Sequence, residues 1–427
     1  MRVERAAGFY LPDLETMSHA ERMDYLAGRL RETLAHAHQH APSMRRRLEK
    51  VGIRPGSIPS IQDLERIPIL RKSELIEEQR RTPPFGGFCT VKPQELRRIY
   101  VSPGPIYEPE EMESHDMRWP QALYAAGFRG GDIAQITFNF QMVPVGFWLD
   151  EALHRLGCVT VPAGVGNTEL QIQIMREAGV NAYLGTPSFL AAIAERAQGM
   201  GLDLRKDLRL RVGFVAAEPL PESLRSDLEE RFGMTVRQSY GTADVGCLGF
   251  ECPAKCGMHF PEDCIVEVVN PETGHSLGPG EVGEVVATVF HRTYPLIRFA
   301  TGDLSSYADE PCDCGRTSRR LLKILGRVDQ LTKVKGLFIH PRQVDEVARK
   351  FPEIGNAQIR VLREGNQDRM VFRAEWLREE PPIVGFTDRL ASTIQGILRL
   401  RGDVELVQPG SIPADAKKIE DLRKWDD

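Results

Sequence analysis

The sequence predicts an α/β protein: a large N-terminal domain on a mostly parallel sheet with an antiparallel subdomain, and a small α+β C-terminal domain. Three patterns predict it. From Asp132 to Tyr240 the β-rich runs DIAQITF, CVTVPAG, AYLGTP, LRVGFVAAEP and TVRQSYG alternate with helical stretches, the order of a parallel sheet with crossover helices. From Cys264 to Phe290, IVEVVN and GEVVATVF flank PETGHSLGPGEVG, the pattern of an antiparallel hairpin. Beyond Arg327 the chain reads as a helix, two strands, a second helix and a strand.

Taken in order, roughly the first 90 residues read as helical, and Met23, Leu26, Leu30 and Leu34 recur at helix spacing on one face. His36, His38 and His40 follow in HAHQH; alternate residues diverge around a helix, so this is a solvated helix end rather than a metal site. The stretch from Ile133 to Leu149 is apolar but interrupted by Gln135, Asn139 and Gln141, which suits a buried strand leading into a helix and not a membrane span. Beyond the hairpin, a helix is expected near Arg342–Lys350. Strands are expected at Ala357–Leu362 and Met370–Trp376 around a turn with Gly365 and Asn366. A helix at Thr387–Leu400 and a last strand at Asp403–Val407 complete the unit. The domains are expected to span 1–328 and 329–427.

With 427 residues the chain is long enough for a large core and a second domain, and its net charge of −5 is too small and mixed for a nucleic-acid or acidic-membrane partner. The opening MRVERAAGFY has no basic start followed by an apolar run, so no export signal is expected and the compartment reads as cytoplasmic. Eight cysteines then serve as thiols or metal ligands rather than disulfides. Cys252, Cys256 and His259 in ECPAKCGMH, with Cys312 and Cys314 in CDCGRT, make two short-spaced groups in turn-rich segments. Such groups fit a tetrahedral structural zinc, Cys256 and His259 competing for the fourth position. Cys89, Cys158, Cys247 and Cys264 read as ordinary interior or loop cysteines.

Ligands of parallel sheets bind beyond the carboxyl ends of the strands. The loops Gly164–Thr168, Gly185–Ser188, Ala217–Pro219 and Tyr240–Thr242 follow the β-rich runs and should gather at one rim. Three stretches pair glycines with an acid or hydroxyl able to grip a nucleotide sugar or a metal: QSYGTADVG (Gln238–Gly246), YPLIRFATGDL (Tyr294–Leu304) and LGRVDQLTKVKG (Leu325–Gly336).

In that order and with those separations, the three stretches resemble the signature blocks of the adenylate-forming enzymes, and the chain is most similar to the phenylacetate-CoA ligase branch. HAPSMRRRLEKVGI, DLERIPILRKSEL, GVGNTELQ, GTPSFL and FVAAEP extend the resemblance over nearly the whole chain. It implies ATP-dependent activation of an aromatic carboxylic acid to an acyl-adenylate and then a coenzyme A thioester, with magnesium and with a small C-terminal domain that moves. It places adenine on Tyr240, with Gly241, Ala217, Glu218 and Pro219 around the nucleotide. It puts Thr242 at the α-phosphate, Asp303 on the ribose and Arg327 on ribose or phosphate. Asp244 stands where the family has a glutamate magnesium ligand and is one methylene shorter. Asp329 takes the hinge position and Gly336 lines the pantetheine tunnel. The catalytic lysine is Lys418 or Lys417 in SIPADAKKIEDLRKW; the plain alternative is two solvated lysines before a helix. The acyl pocket falls to Phe138, Phe140, Val143, Gly164, Ala216 and Ala217, the two phenylalanines serving equally well as core. A homodimer is a further implication of the resemblance.

One stretch departs from the pattern. Where the family carries a Ser/Thr/Gly-rich phosphate loop ending in Lys-Pro, this chain has YVSPGPIYEPE, Tyr100–Glu110, and only Ser102, Gly104 and Pro109 match. Pro103 and Pro105 remove two N–H donors, and Glu108 replaces a cation with an anion. Three accounts follow. Other cations such as Arg97 or Arg98 substitute; the protein takes a preformed adenylate; or it binds nucleotide without catalysis. A related branch adenylates a deazaflavin without making a thioester. No hydrolase triad, Walker loop or dinucleotide fingerprint is present.

Overall fold

A computed structural model describes residues 5–54, 56–57, 60–112, 117–330, 332–334, 337–364, 367–413 and 415–423; at 333, 337, 338, 364 and 367 it describes the backbone. The chain divides into two compact units, Met1–Ile324 and Leu325–Asp427.

The larger unit opens with helices, as the apolar spacing requires. Helix α1 is Pro12–Glu15, α2 His19–His40, α3 Pro42–Lys50 and α4 Lys72–Arg81. Ser18 starts α2 with a reciprocal cap: its side chain accepts from the Glu21 N–H, and the Glu21 carboxylate accepts from the Ser18 N–H, which satisfies two orphan donors of the first turn. Leu26, Leu30 and Leu34 are buried along one face. The His36–His40 segment closes α2, with His36 Nε2 2.9 Å from the Arg292 carbonyl.

Strands β1 (Leu96–Ser102) and β2 (Ile106–Glu111) pair as a hairpin. Helix α5 (Trp119–Ala126) leads into β3 (Ile133–Ile136), and α6 (Val145–Arg155) into β4 (Val159–Pro162). Then come α7 (Thr168–Glu177), β5 (Ala182–Gly185), α8 (Pro187–Gly199), β6 (Val212–Val215), α9 (Glu222–Phe232) and β7 (Thr235–Thr242). Every pairing from β4 through β3, β5 and β6 to β7 is parallel. Strands β5 and β6 are buried throughout, as helices on both faces demand.

At β7 the direction changes. Strand β8 (Gly246–Glu251) turns back antiparallel, and β9 (Met258–His259), β13 (Tyr307–Ala308) and β14 (Arg320–Leu321) extend the sheet to nine strands in the order β13-β14-β9-β8-β7-β6-β5-β3-β4. The expected hairpin forms from β10 (Cys264–Val269) and β11 (Gly283–Val289), and β12 (Phe299–Ser305) adds antiparallel to β11.

In the smaller unit, helices α10 (Pro341–Arg349) and α11 (Phe386–Leu398) bury Val344, Val347, Leu390 and Ile394 against a four-stranded sheet. Its central strands, Ile354–Glu364 and Gln367–Trp376, are antiparallel; the expected turn residues Gly365 and Asn366 lie outside the described residues. Asp403–Val407 flanks them in parallel on one side. The other flank is Ile419–Asp421, also parallel, where the sequence reads as the start of a helix. Only Ile419 of those three residues is buried; so short a strand has no period of its own, and its partner lies far away in sequence.

Candidate active site

Two of the loops at the strand ends are joined. The Ser188 amide donates to the Glu218 carboxylate (3.3 Å), joining the loop after β5 to the loop after β6, and the Ala216 N–H donates to the Gly185 carbonyl. Ala217 holds a left-handed backbone, φ +69°, and with Glu218 and Pro219 is exposed. The Gly164 loop is tied from beneath: Gln171 Nε2 donates to the Gly164 and Gly166 carbonyls, and Gln135 Nε2 donates to Gln171 Oε1. Along the chain Gln135 is only a break in an apolar run; in the fold it supports the Gly164 loop through Gln171.

Tyr240, near the end of β7, is buried, and its hydroxyl donates to Asp303 Oδ2 on β12 at 2.9 Å. Two residues 63 apart, on different sheets, are thus in contact. Gly241 is required by packing: a Cβ there would lie 2.4 Å from the Gly246 carbonyl oxygen across the β7–β8 turn. Thr242 Oγ1 is buried and has no hydrogen-bond partner among the described residues. Phe138 sits in the core with Trp148 and Phe214, while Phe140 is half-buried and meets Phe147 edge-on at 5.2 Å.

The altered phosphate loop is the tip of the β1–β2 hairpin, with Ser102 facing Ile106. Gly104 at the tip has φ +154° and is exposed. Ser102 is buried, and its hydroxyl donates to Glu108 Oε1 at 3.0 Å. Glu108 is itself buried and hydrogen-bonds the side chain of Asp244; burial first, then the Asp244 charge, pushes its carboxyl well above the usual range. Asp244 Oδ2 receives Lys72 Nζ at 3.0 Å. Arg97 and Arg98, expected as replacement cations, are engaged elsewhere. Arg97 faces Glu151 at 3.6 Å; Arg98 donates to Glu110 at 2.8 Å and stands 4.7 Å from the centre of the Phe147 ring. The cation that reaches this site is Lys72, at the start of α4, which the sequence signals only by its place at a helix N-terminus.

The cysteine groups converge. Cys252, His259, Cys312 and Cys314 each offer a ligand atom, all within 4.8 Å of one another. Cys252 and Cys312 sulfurs are 3.6 Å apart, and Cys314 Sγ is 3.4 Å from His259 Nε2. A tetrahedron with metal–sulfur bonds of ~2.3 Å and metal–nitrogen bonds of ~2.05 Å has edges of roughly 3.8 and 3.6 Å, so the set fits zinc. His259 Nδ1 lies 3.2 Å from the Ser318 carbonyl, which only accepts; the proton therefore sits on Nδ1 and the Nε2 lone pair faces the sulfurs. The hydrogen bond from Cys252 holds the Cys314 thiol well below the ordinary cysteine range, and the same contact raises Cys252. Between the two candidates for the fourth position, the geometry selects His259; Cys256 is exposed beside the set.

In the smaller unit Arg327 and Asp329 are exposed, 3.5 Å apart. Gly326 has φ +145°, and a Cβ there would enter the His340 ring, so that glycine serves packing. Lys418 Nζ meets Asp345 Oδ1 on α10 at 2.9 Å, while Lys417 is exposed. Gly336 lies outside the described residues.

Residues 138–288 match the AMP-binding enzyme family and residues 336–423 the C-terminal domain of AMP-binding enzymes. The chain is 30% identical to a phenylacetate-coenzyme A ligase of Escherichia coli over 97% of its own length and 98% of that protein. It is 29% identical to one from Thermus thermophilus over 97% and 100%. Among solved structures, an open conformation of 2-hydroxyisobutyryl-CoA ligase in complex with 2-HIB-AMP and CoA is similar with a TM-score of 0.88 at 26% identity, covering 98% of this chain and 95% of that one. The fold and these relatives agree: the chain belongs to the phenylacetate-coenzyme A ligase family of adenylate-forming, AMP-forming acid–coenzyme A ligases.

Proposed function

We propose that the protein activates an aromatic, phenylacetate-like carboxylic acid with ATP and passes the acyl group from its adenylate to coenzyme A. The hydrogen bond between Tyr240 and Asp303 carries this reading, because it brings an aromatic face for adenine beside a carboxylate for the ribose hydroxyls at the strand ends. Thr242, with its unclaimed hydroxyl, takes the α-phosphate. Asp303 and Arg327 orient the nucleotide so that carboxylate attack becomes effectively intramolecular. Lys418 supplies the cation for the developing charge, leaving Asp345 to do so. Asp244 fits a magnesium ion as a buried hard-oxygen donor, and the ion would offset phosphate charge. Lys72, already on Asp244, supplies the positive charge that the hairpin tip lacks. Zinc on Cys252, His259, Cys312 and Cys314 is structural, since four protein ligands leave no open position. Homodimeric assembly rests on the family resemblance; no described helix is long and apolar enough to cross a membrane.

One observation favours a second reading, in which the chain takes a preformed adenylate or holds nucleotide without turnover: Glu108 is buried against Asp244, where triphosphate charge would lie. ATP–pyrophosphate exchange over a panel of aryl acids, with 2-hydroxyisobutyrate as the aliphatic comparison, separates them. Exchange with aryl acids and coenzyme A-dependent AMP release are the expected results. Exchange without coenzyme A-dependent AMP release points to the deazaflavin-type chemistry, and AMP binding without any exchange to the second reading.

A further inference from the structure

Cys256 is the one member of the two cysteine groups that the four-ligand set leaves out, and its position is nonetheless fixed. The turn from Cys252 is closed by the Lys255 N–H donating to the Cys252 carbonyl, with Lys255 in the left-handed region at φ +55°. Gly257 follows at φ +115°, where a Cβ would meet the Leu321 carbonyl oxygen at 2.8 Å. From the other side the buried Arg320 reaches in: Nη1 lies 2.5 Å from Cys256 Sγ and 3.3 Å from the Cys256 carbonyl, and Nη2 donates to the Glu310 carbonyl. Turn and guanidinium together aim the Cys256 sulfur at Cys312, whose sulfur is 3.4 Å away. Cys256 is exposed, whereas Cys252, His259 and Cys312 are buried. An oxidant arriving from solvent thus meets a thiol that is not needed in the set but touches a member of it.

We propose that Cys256 is an oxidative modification site, at which a peroxide drives formation of a Cys256–Cys312 disulfide that dismantles the metal site. In the first step the Cys256 sulfur attacks one peroxide oxygen; the O–O bond breaks, giving a Cys256 sulfenic acid and water. In the second, the Cys312 sulfur attacks the Cys256 sulfur; an S–S bond forms, the S–O bond breaks, and the departing hydroxide takes a proton to become water. The two sulfurs lose two electrons in total and the peroxide gains two. Cys312 ceases to be a metal ligand, so three donors remain. Because Cys312 and Cys314 are separated by one residue and precede the 317–321 segment that carries β14, the change is delivered to the edge of the nine-stranded sheet. The part concerning zinc rests on the zinc reading above; the disulfide does not.

The test uses the purified full chain with its metal content measured first, treated with hydrogen peroxide beside a zinc-sensitive dye, with intact mass and peptide mapping in parallel. The expected result is release of one zinc per chain, a mass loss of 2 Da (two hydrogens), and a peptide linking Cys256 to Cys312, all reversed by thiol reductant and added zinc. Cys256→Ser, an exposed and conservative change, is expected to hold zinc fully and to release it at least ten-fold more slowly; Cys256→Ala serves as a second variant. Equal release rates in both variants and the parent overturn the proposal. So does a disulfide mapped to another pair, or a Cys256 oxidised to the sulfinic or sulfonic acid with zinc retained. A protein purified without zinc refutes the zinc reading alone, and the linked peptide then decides the disulfide.

Discussion

Glu108 on β2 and Asp244 in the β7–β8 turn, two acids from distant parts of the chain, meet in a buried site, with Lys72 Nζ 3.0 Å from Asp244 Oδ2. Two carboxylates so placed cannot both ionise at little cost, and burial falls hardest on Glu108. Folding therefore favours its neutral form. The folded chain binds a proton there above pH 4.5, the ordinary value of the group, where the unfolded chain releases it. The stability that neutral Glu108 lends is complete below that value and declines as pH rises toward the higher folded value. Glu108→Gln keeps the shape and cannot ionise. Its melting temperature relative to the parent is expected to climb as pH is raised from about 4.5 to 8, read by calorimetry across a pH series. A difference that stays flat with pH contradicts the protonated carboxyl.

Tyr240 offers a ring and a hydroxyl with separate tasks. Stacking on a base is worth about 1–3 kcal/mol. Tyr240→Ala is expected to weaken AMP binding by roughly 5–150-fold, and Tyr240→Phe, which keeps the ring and gives up the hydroxyl with its contact to Asp303, by much less. Titration calorimetry with AMP reads both. Equal losses in the two variants would mean that the ring does not carry the nucleotide.

Lys417 and Lys418 are adjacent yet differently held. Lys418 is ion-paired to Asp345 and Lys417 is exposed. Lys418→Ala is expected to slow pyrophosphate exchange by about 10²–10³-fold, the scale for removing one group that stabilises developing charge. Thioester formation from supplied acyl-adenylate should fall far less, and Lys417→Ala should change neither. The reverse pattern would assign the role to Lys417.

The metal set predicts its own stoichiometry. Elemental analysis of protein purified without chelator is expected to give one zinc per chain. His259→Ala and Cys314→Ser should each bind far less, and Cys89→Ser, which is not a member of the set, should bind a full equivalent. Zinc loss from Cys89→Ser alone would place the metal elsewhere.

Arg298, in the YPLIRFATGDL stretch, is buried and holds a left-handed backbone, φ +49°. It pairs with Glu267 through two nitrogens and donates to the carbonyls of Glu65, Ile67 and Gly274. Its removal strands a buried acid. Arg298→Ala is expected to cost about 3–5 kcal/mol in denaturant unfolding, and Arg298→Lys, with one ammonium for a forked guanidinium, to recover little.

The sequence by itself determined the parallel sheet, the rim loops and the small α+β unit, because strand and helix periods are local and each buries its own apolar face. Resemblance to the family's blocks singled out Tyr240 and Asp303, and the short spacings within the cysteine groups pointed to a metal site. Tertiary structure alone decided the rest. Glu108 reads along the chain as a misplaced anion in a phosphate loop; folding buries it against Asp244 and brings Lys72, 36 residues earlier, onto Asp244. The choice of His259 over Cys256, and of a strand at Ile419–Asp421, was likewise made by partners far away in the sequence. A side chain's charge state and its ligand role depend on what surrounds it in space, and local spacing holds no record of that.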